Sequence, residues 1–164
     1  VQSACETAYW SSELWELGYN GAGIKVSSEW LNAGKPYITK NSVESRNGVY
    51  GNEASKFRKY RSPGEFLKDY EKKIRQDYPR CARNHDNIWG YFAGLYDGRI
   101  GKWATDHKYY EKLTVKAIKL APEIYSSKWK HKLIKDFKVA ARRNSLENWQ
   151  KDIIRSELKK ANVL

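Results

Sequence analysis

With 164 residues and a net charge of +12, the chain is long enough for one domain that buries roughly 70% of its unfolded surface, and basic enough to be drawn to polyanions. Its two cysteines, Cys5 and Cys81, are too few for a disulfide framework, and the isolated histidines His85, His107 and His131 have no zinc-type spacing, so no metal site or other cofactor is expected. No run reaches the ~18 apolar residues of a membrane span and none reads as a basic leader with an apolar stretch, while the absence of methionine points to an N-terminus made by processing, trimming or an upstream segment.

Taken in chain order, Ala4, Ala8, Leu14 and Leu17 with the rings of Tyr9, Trp10 and Trp15 predict a helix, or two short helical turns, from residue 3 to about 17, stopped by Gly18. Residues 30–36 read as loop. Two extended runs, 37–44 and 49–57, flank Arg46-Asn47-Gly48, and Asn-Gly between such runs is a strong hairpin signal. Ser62-Pro63-Gly64-Glu65 has the form of a capping box with proline at the first helical position. Phe66, Tyr70 and Ile74 then place one apolar stripe inward until Tyr78-Pro79 interrupts it. A further helix is expected over residues 87–96, a loop at Gly98 and Gly101, and a helix capped by Thr105 or Asp106 through Leu113, Ala117 and Leu120. Pro122 is read as a break. Beyond it, Trp129, Leu133, Phe137 and Ala140 form one stripe and Leu146, Trp149 and Ile153 another, with Asn144 and Glu147 as a second capping box. This predicts an αα-hairpin, whose residues 126–164 carry eleven Lys/Arg against four acids.

Seven Trp and twelve Tyr supply rings that fill cores or stack on sugar faces and bases. The run ACETAYWSSELW sets Glu6 beside Tyr9 and Trp10, and a glutamate partly desolvated by rings would have a raised pKa and keep a proton to donate near neutral pH. That is the chemistry of a glycosidase acid.

Four segments, in order, resemble the glucosaminidase family of peptidoglycan hydrolases (glycoside hydrolase family 73). ACETAYWSS is similar to the family's Glu-Ser-Gly-Trp-Gly-x-Ser piece with its upstream alanine, and NGAGIK to Asn-x-Phe-Gly-Ile-Lys. VESRNGVYGNEASKFRKYRS resembles the hairpin glutamate followed by Phe-Arg-x-Tyr-x-Ser, and WATDHKYYEKL, residues 103–113, resembles Tyr-Ala-Thr-Asp-Pro-x-Tyr-x-x-Lys-Leu. The departures are Ala8-Tyr9-Trp10 for Gly-Trp-Gly, Ala22 for phenylalanine, Trp103 for tyrosine and His107 for proline, which would alter sugar subsites. Only five residues precede Glu6, so the family's upstream helix is expected to be absent, lost or supplied by another chain.

The resemblance implies a mostly helical, lysozyme-like α+β domain with one β-hairpin over residues 1–122; the basic helical pair read from the apolar stripes follows over 123–164. It implies Glu6 as general acid and Glu44 as the second carboxylate, with Trp103, Tyr109, Tyr78 and Asn20 as substrate-binding candidates. Two carboxylates across one bond are what glycoside hydrolysis commonly needs, about 5 Å apart for retention and about 6.5–9.5 Å for inversion. The bond implied is the β-1,4 link between N-acetylglucosamine and N-acetylmuramic acid. An N-acetylmuramidase, or a non-catalytic virion or wall-docking module, is the alternative.

Each candidate also has a plainer reading. Glu6 could be a helix-end acid, Glu44 an exposed hairpin charge like Glu53, Asp106 a cap, and Trp103 and Tyr109 core. For the basic pair the default is a solvated face. Its functional readings are attraction to anionic wall polymers, or docking to a virion or other protein through Trp129 and Trp149. No helix-turn-helix, zinc or RNA-binding signature is present, so nucleic acid is not the expected partner. The expected setting is extracellular, at the cell wall or in a phage virion.

Overall fold

The computed structural model describes residues 1–46 and 49–164, without the side chains of residues 42–46, 49, 50 and 52. Helices dominate and a single two-stranded antiparallel sheet is present among the described residues, which is the mostly helical α+β class the sequence predicts. The residues gather into two compact units, Gln2–Glu71 and Lys72–Leu164, with Val1 belonging to the second.

The first unit opens with α1 (Gln2–Glu6) and α2 (Glu13–Gly18), the two short helical pieces expected. The Ser12 hydroxyl accepts from the Trp15 amide, and α2 ends with Tyr19 in the left-handed region at φ 47°. Residues 28–32, expected as loop from residue 30 onward, form α3 (Ser28–Asn32), where Ser27 accepts from the Trp30 amide. Five residues are too few to show a helical period in the sequence. The hairpin pairs β1 (Tyr37–Arg46) with β2 (Val49–Arg58), in register from Tyr37↔Arg58 to Arg46↔Val49. The Asn47-Gly48 turn on which that prediction rested lies outside the described residues.

A third segment pairs with β2. Val26 donates to the Lys56 carbonyl at 3.0 Å and Arg58 donates to the Ile24 carbonyl at 2.9 Å, so Ile24–Val26 runs along its edge. Behind this, Trp30, Tyr60 and Phe66 pack ring edge to ring face at 5.6 Å, an arrangement that suits the aromatic quadrupole.

Helix α4 (Pro63–Asp77) starts as predicted. The Ser62 hydroxyl accepts from the Glu65 amide at 3.2 Å, but the Glu65 carboxylate accepts from the Arg61 amide at 2.7 Å, one residue further back than a capping box requires. Phe66 and Ile74 are buried and Tyr70 is half-buried, as their four-residue spacing implies.

The second unit is helical. Tyr78 and Pro79 end α4 and begin α5 (Pro79–Arg83), and α6 (Ile88–Gly94) comes next, capped by the Asn87 side chain on the Gly90 amide. These two helices approach so closely that a Cβ on Gly94 would lie 2.5 Å from the Cys81 nitrogen, so only glycine fits. Helix α7 (Tyr109–Tyr125) runs three residues past the break expected at Pro122. A proline that close to the end removes only one hydrogen bond of the last turn. Its buried face, Tyr109, Tyr110, Leu113, Thr114, Ala117, Ile118, Leu120 and Ala121, contains the stripe of Leu113, Ala117 and Leu120 read from the sequence and is wider than it.

Helices α8 (Trp129–Arg142) and α9 (Asn148–Lys160) are the expected pair. In α8 the predicted stripe holds, with Leu133 and Ala140 fully buried. In α9 it does not: the buried residues are Gln150, Ile154 and Leu158, one position on from Trp149 and Ile153. The capping box is shifted too, because Gln150 Oε1 accepts from the Glu147 amide at 2.9 Å, while Asn144 sits in the left-handed region at φ 51°. Side-chain tethers tie α8 and the turn that leads to α9 into this unit's core. Trp89 Nε1 donates to the Leu133 carbonyl, Asn87 to that of Asp136 and Arg80 to that of Ser145.

Candidate active site

Glu6 is the last residue of α1 and is half-buried. The backbone just beyond it is unusual: Ala8, Tyr9 and Trp10 have φ of 48°, 61° and 62°, three consecutive non-glycine residues in the left-handed region, each at a cost of about 1–2 kcal/mol. The turn is held from both sides. Buried Thr7 donates its hydroxyl to the Ser3 carbonyl at 2.7 Å and accepts from the Trp10 amide at 2.9 Å, and the Trp10 indole donates to Ser3 Oγ at 3.0 Å. The result displays Tyr9 and Trp10, each 43% exposed, immediately after the candidate acid. From the sequence these rings are expected beside Glu6 as desolvating cover, and the left-handed turn leaves both of them partly exposed.

Asn20 is completely buried. Its amide nitrogen donates to the carbonyls of Ile24 and Arg58, at 2.9 and 2.8 Å, and its oxygen accepts from the Ile24 amide at 2.9 Å. These bonds clamp the loop that leads to Gly-Ile-Lys onto β2, so Asn20 shapes backbone and has no exposed surface for a sugar. Gly21 lies against α1: a Cβ there would meet Ser3 Oγ at 2.6 Å and Phe66 at 2.7 Å. The loop therefore seats the helix that carries Glu6.

The end of β2 is fixed by Arg58. Its Nη1 contacts both oxygens of Asp69, at 3.0 and 2.8 Å, its Nε donates to the Lys25 carbonyl at 3.2 Å, and its guanidinium lies over the Trp30 ring at 4.8 Å. The Tyr60 hydroxyl donates to Asp69 at 2.7 Å, and burial pushes that phenol well above its ordinary pKa. The Phe-Arg-Lys-Tyr segment is thus a structural knot at the foot of the hairpin. Glu44 stands opposite Gly51 in the strand register; its side chain lies outside the described residues.

The first three motif segments meet within the unit Gln2–Glu71, and the fourth lies in the unit Lys72–Leu164. There Tyr78 and Tyr109, 3% and 5% exposed, are core rings, while Trp103 is half-buried and packs tilted against Tyr78 at 5.2 Å. Of the three rings expected to stack on sugar, Trp103 is the one that is not buried. Asp106 is not the helix cap, a place taken by Lys108. It accepts from the Lys108 amide at 2.9 Å and from the Lys112 ammonium at 2.6 Å, and the Lys112 contact first of all holds its carboxyl below the usual range. Among the described residues no cluster of three metal-ligating side chains occurs, and no helix is long and apolar enough to cross a membrane.

Comparison with known families decides the chemistry. Residues 1–122 match the model of the family described as glucosaminidase, mannosyl-glycoprotein endo-β-N-acetylglucosaminidase. The chain belongs to the glucosaminidase family. It is accordingly a glycoside hydrolase, and the match runs through Glu6, the hairpin and the Trp-Ala-Thr-Asp segment alike. The solved crystal structure of a peptidoglycan hydrolase mutant from Sphingomonas sp. A1 is similar to it, with a TM-score of 0.56 at 25% sequence identity over 82% of this chain and 81% of that one. A search of curated proteins returns no match. For a glucosaminidase, the exposed Tyr9 and Trp10 are the feature that the sequence reading undervalued. Its signal was Ala8-Tyr9-Trp10 standing where the family's pattern has Gly-Trp-Gly.

Proposed function

We infer that this glucosaminidase hydrolyses the glycan strands of peptidoglycan at β-1,4 bonds, with Glu6 as the general acid. The observation that carries this reading is the family match through Glu6, joined to the Sphingomonas hydrolase, whose substrate is peptidoglycan by name. Glu6 protonates the leaving glycosidic oxygen, and Glu44 on the hairpin serves as the second carboxylate, activating water or stabilising the oxocarbenium-like transition state. A hairpin is a suitable carrier for that group because it can close over a bound strand and exclude water. Tyr9 and Trp10 beside Glu6 supply rings for the apolar faces of acetamido sugars. The bond cleaved is the one on the reducing side of N-acetylglucosamine, as an endo-β-N-acetylglucosaminidase requires. Its place of action is the cell wall, reached by secretion or from a phage particle.

The test is Glu6→Gln, which keeps shape and removes the proton. Release of reducing sugar from purified wall should fall by at least about a hundredfold, with the thermal melt nearly unchanged because the position is only half-buried. Activity equal to that of the parent would remove Glu6 as the acid. Mass spectrometry of the new reducing ends identifies the bond: N-acetylglucosamine ends are expected, and N-acetylmuramic acid ends would make the enzyme a muramidase.

A further inference from the structure

Helix α8 turns two different faces outward and inward. Leu133, Asp136 and Ala140 are buried, and on the other side His131, Ile134, Lys135, Lys138, Val139 and Arg142 line a shallow groove along the helix. The four basic residues, none of them buried, recur at steps of four, three and four. At a rise of about 1.5 Å per residue this spaces them roughly 5–6 Å apart on one line. Between them lie Ile134 and Val139, and the lysine and arginine methylenes complete an aliphatic floor.

The charge on this line is uncompensated. Four other cations of the second unit have carboxylates: Lys132 pairs with Asp136 at 2.6 Å, Arg143 with Asp86 at 3.2 Å, Arg155 with Asp152 at 3.0 Å and Lys160 with Glu157 at 2.5 Å, while Lys130 bonds the Asn162 carbonyl. Among the described residues, no acid pairs with His131, Lys135, Lys138 or Arg142. Like charges on successive turns of a helix repel, so the stripe costs stability in the isolated protein and gains it on meeting an anion.

We propose that this stripe on α8 is a binding site for a linear phosphodiester polymer with aliphatic spacers, of the polyol-phosphate kind borne on cell walls. A line of cations flanked by the aliphatic side chains of Ile134 and Val139 suits a chain in which phosphates are joined by polyol spacers. Nucleic acid fits less well, because the groove has no aromatic ring on which a base could stack. The site would hold the enzyme on the wall while the catalytic residues act; only the source of the polymer rests on the wall-hydrolase reading.

The experiment uses the full chain and poly(glycerol phosphate) as probe. Lys135→Ala, Lys138→Ala and Arg142→Ala together should weaken binding by at least about tenfold and reduce the logarithmic salt slope by about 2. A control that removes the same charge elsewhere, Lys68→Ala, Lys72→Ala and Lys119→Ala, should stay within about twofold of the parent. The parent should also sediment with walls that carry the polymer and not with walls stripped of it. Hydrolysis of a short soluble glycan should be unchanged in the α8 triple variant, and Glu6→Gln should bind the polymer as the parent does, which separates failure of the site from failure of the catalytic assignment. None of the three α8 side chains is buried, and the triple glutamine variant repeats the test if the alanine one melts early. Unchanged affinity in both triples, equal loss in the control, equal retention on stripped walls, or displacement of the polymer by a lower concentration of single-stranded DNA would each overturn the proposal.

Discussion

At the scale of single residues, the left-handed run Ala8-Tyr9-Trp10 is where the chain departs most from what its side chains favour. Each residue with a Cβ resists positive φ by about 1–2 kcal/mol, yet Thr7 and Ser3 bind the turn from both ends. Local strain next to a candidate acid is consistent with a site that needs its rings in one place. Ala8 is exposed, has the smallest side chain of the three, and can be relieved without removing a ring. Ala8→Gly is therefore expected to raise stability by about 0.5–1 kcal/mol, the relief of φ less the added freedom of the unfolded chain. Thermal or urea melts measure this, and a loss of stability would mean that the Ala8 methyl contributes more than its backbone costs.

At the scale of elements, the hairpin depends on its foot. Arg58 contacts Asp69 through two short bonds while only 15% of its side chain is exposed, and it also bonds Lys25 and covers Trp30. A lysine carries the charge but not the planar fork. Arg58→Lys is expected to cost about 2 kcal/mol and Arg58→Ala about 3 kcal/mol, since removing one partner leaves Asp69 and the Tyr60 hydroxyl to rearrange in a largely dry site. Urea midpoints would report it; a cost below about 0.5 kcal/mol would reduce the pair to surface decoration. The hairpin was legible from its two extended runs, and α4 from Ser-Pro-Gly-Glu, a local signal in which the Ser62 hydroxyl accepts from the Glu65 amide. Helix α9 was legible as a helix but not in its register. Trp149 looks like the core residue, yet Gln150 is buried because its side chain satisfies the Glu147 amide at the cap, and Trp149 instead packs from the rim against Tyr96 and Tyr110 at 5.4 Å.

At the scale of the whole molecule, the motifs carried family and chemistry, but not which rings are exposed, because burial is decided by partners distant in sequence. Tyr78 is covered by Trp103 and hugs Gly98, whose Cβ would lie 2.4 Å from the phenol ring; nothing local to Tyr78-Pro79 announces this. Such burial has a consequence that pH can reveal. Desolvation pushes the Cys81 thiol up to about 12 from 9.0, and the Tyr78 phenol up to about 12 from 10.0. Because both folded values lie above the unfolded ones, the stability these groups contribute is fully present below about pH 9 and is lost as pH climbs towards 12. The same window contains the isoelectric point near 9.6, where net-charge repulsion is smallest, so a loss of stability there is owed to the buried groups. The melting temperature should hold level from pH 7 to about 8.5 and then fall steeply. Cys81→Ala should melt lower than the parent at neutral pH, having lost a buried sulfur, but fall less between about pH 9 and 10, where the unfolded thiol ionises first. Parallel curves for parent and variant across that interval would show that the Cys81 thiol is not the group being drawn out by alkali.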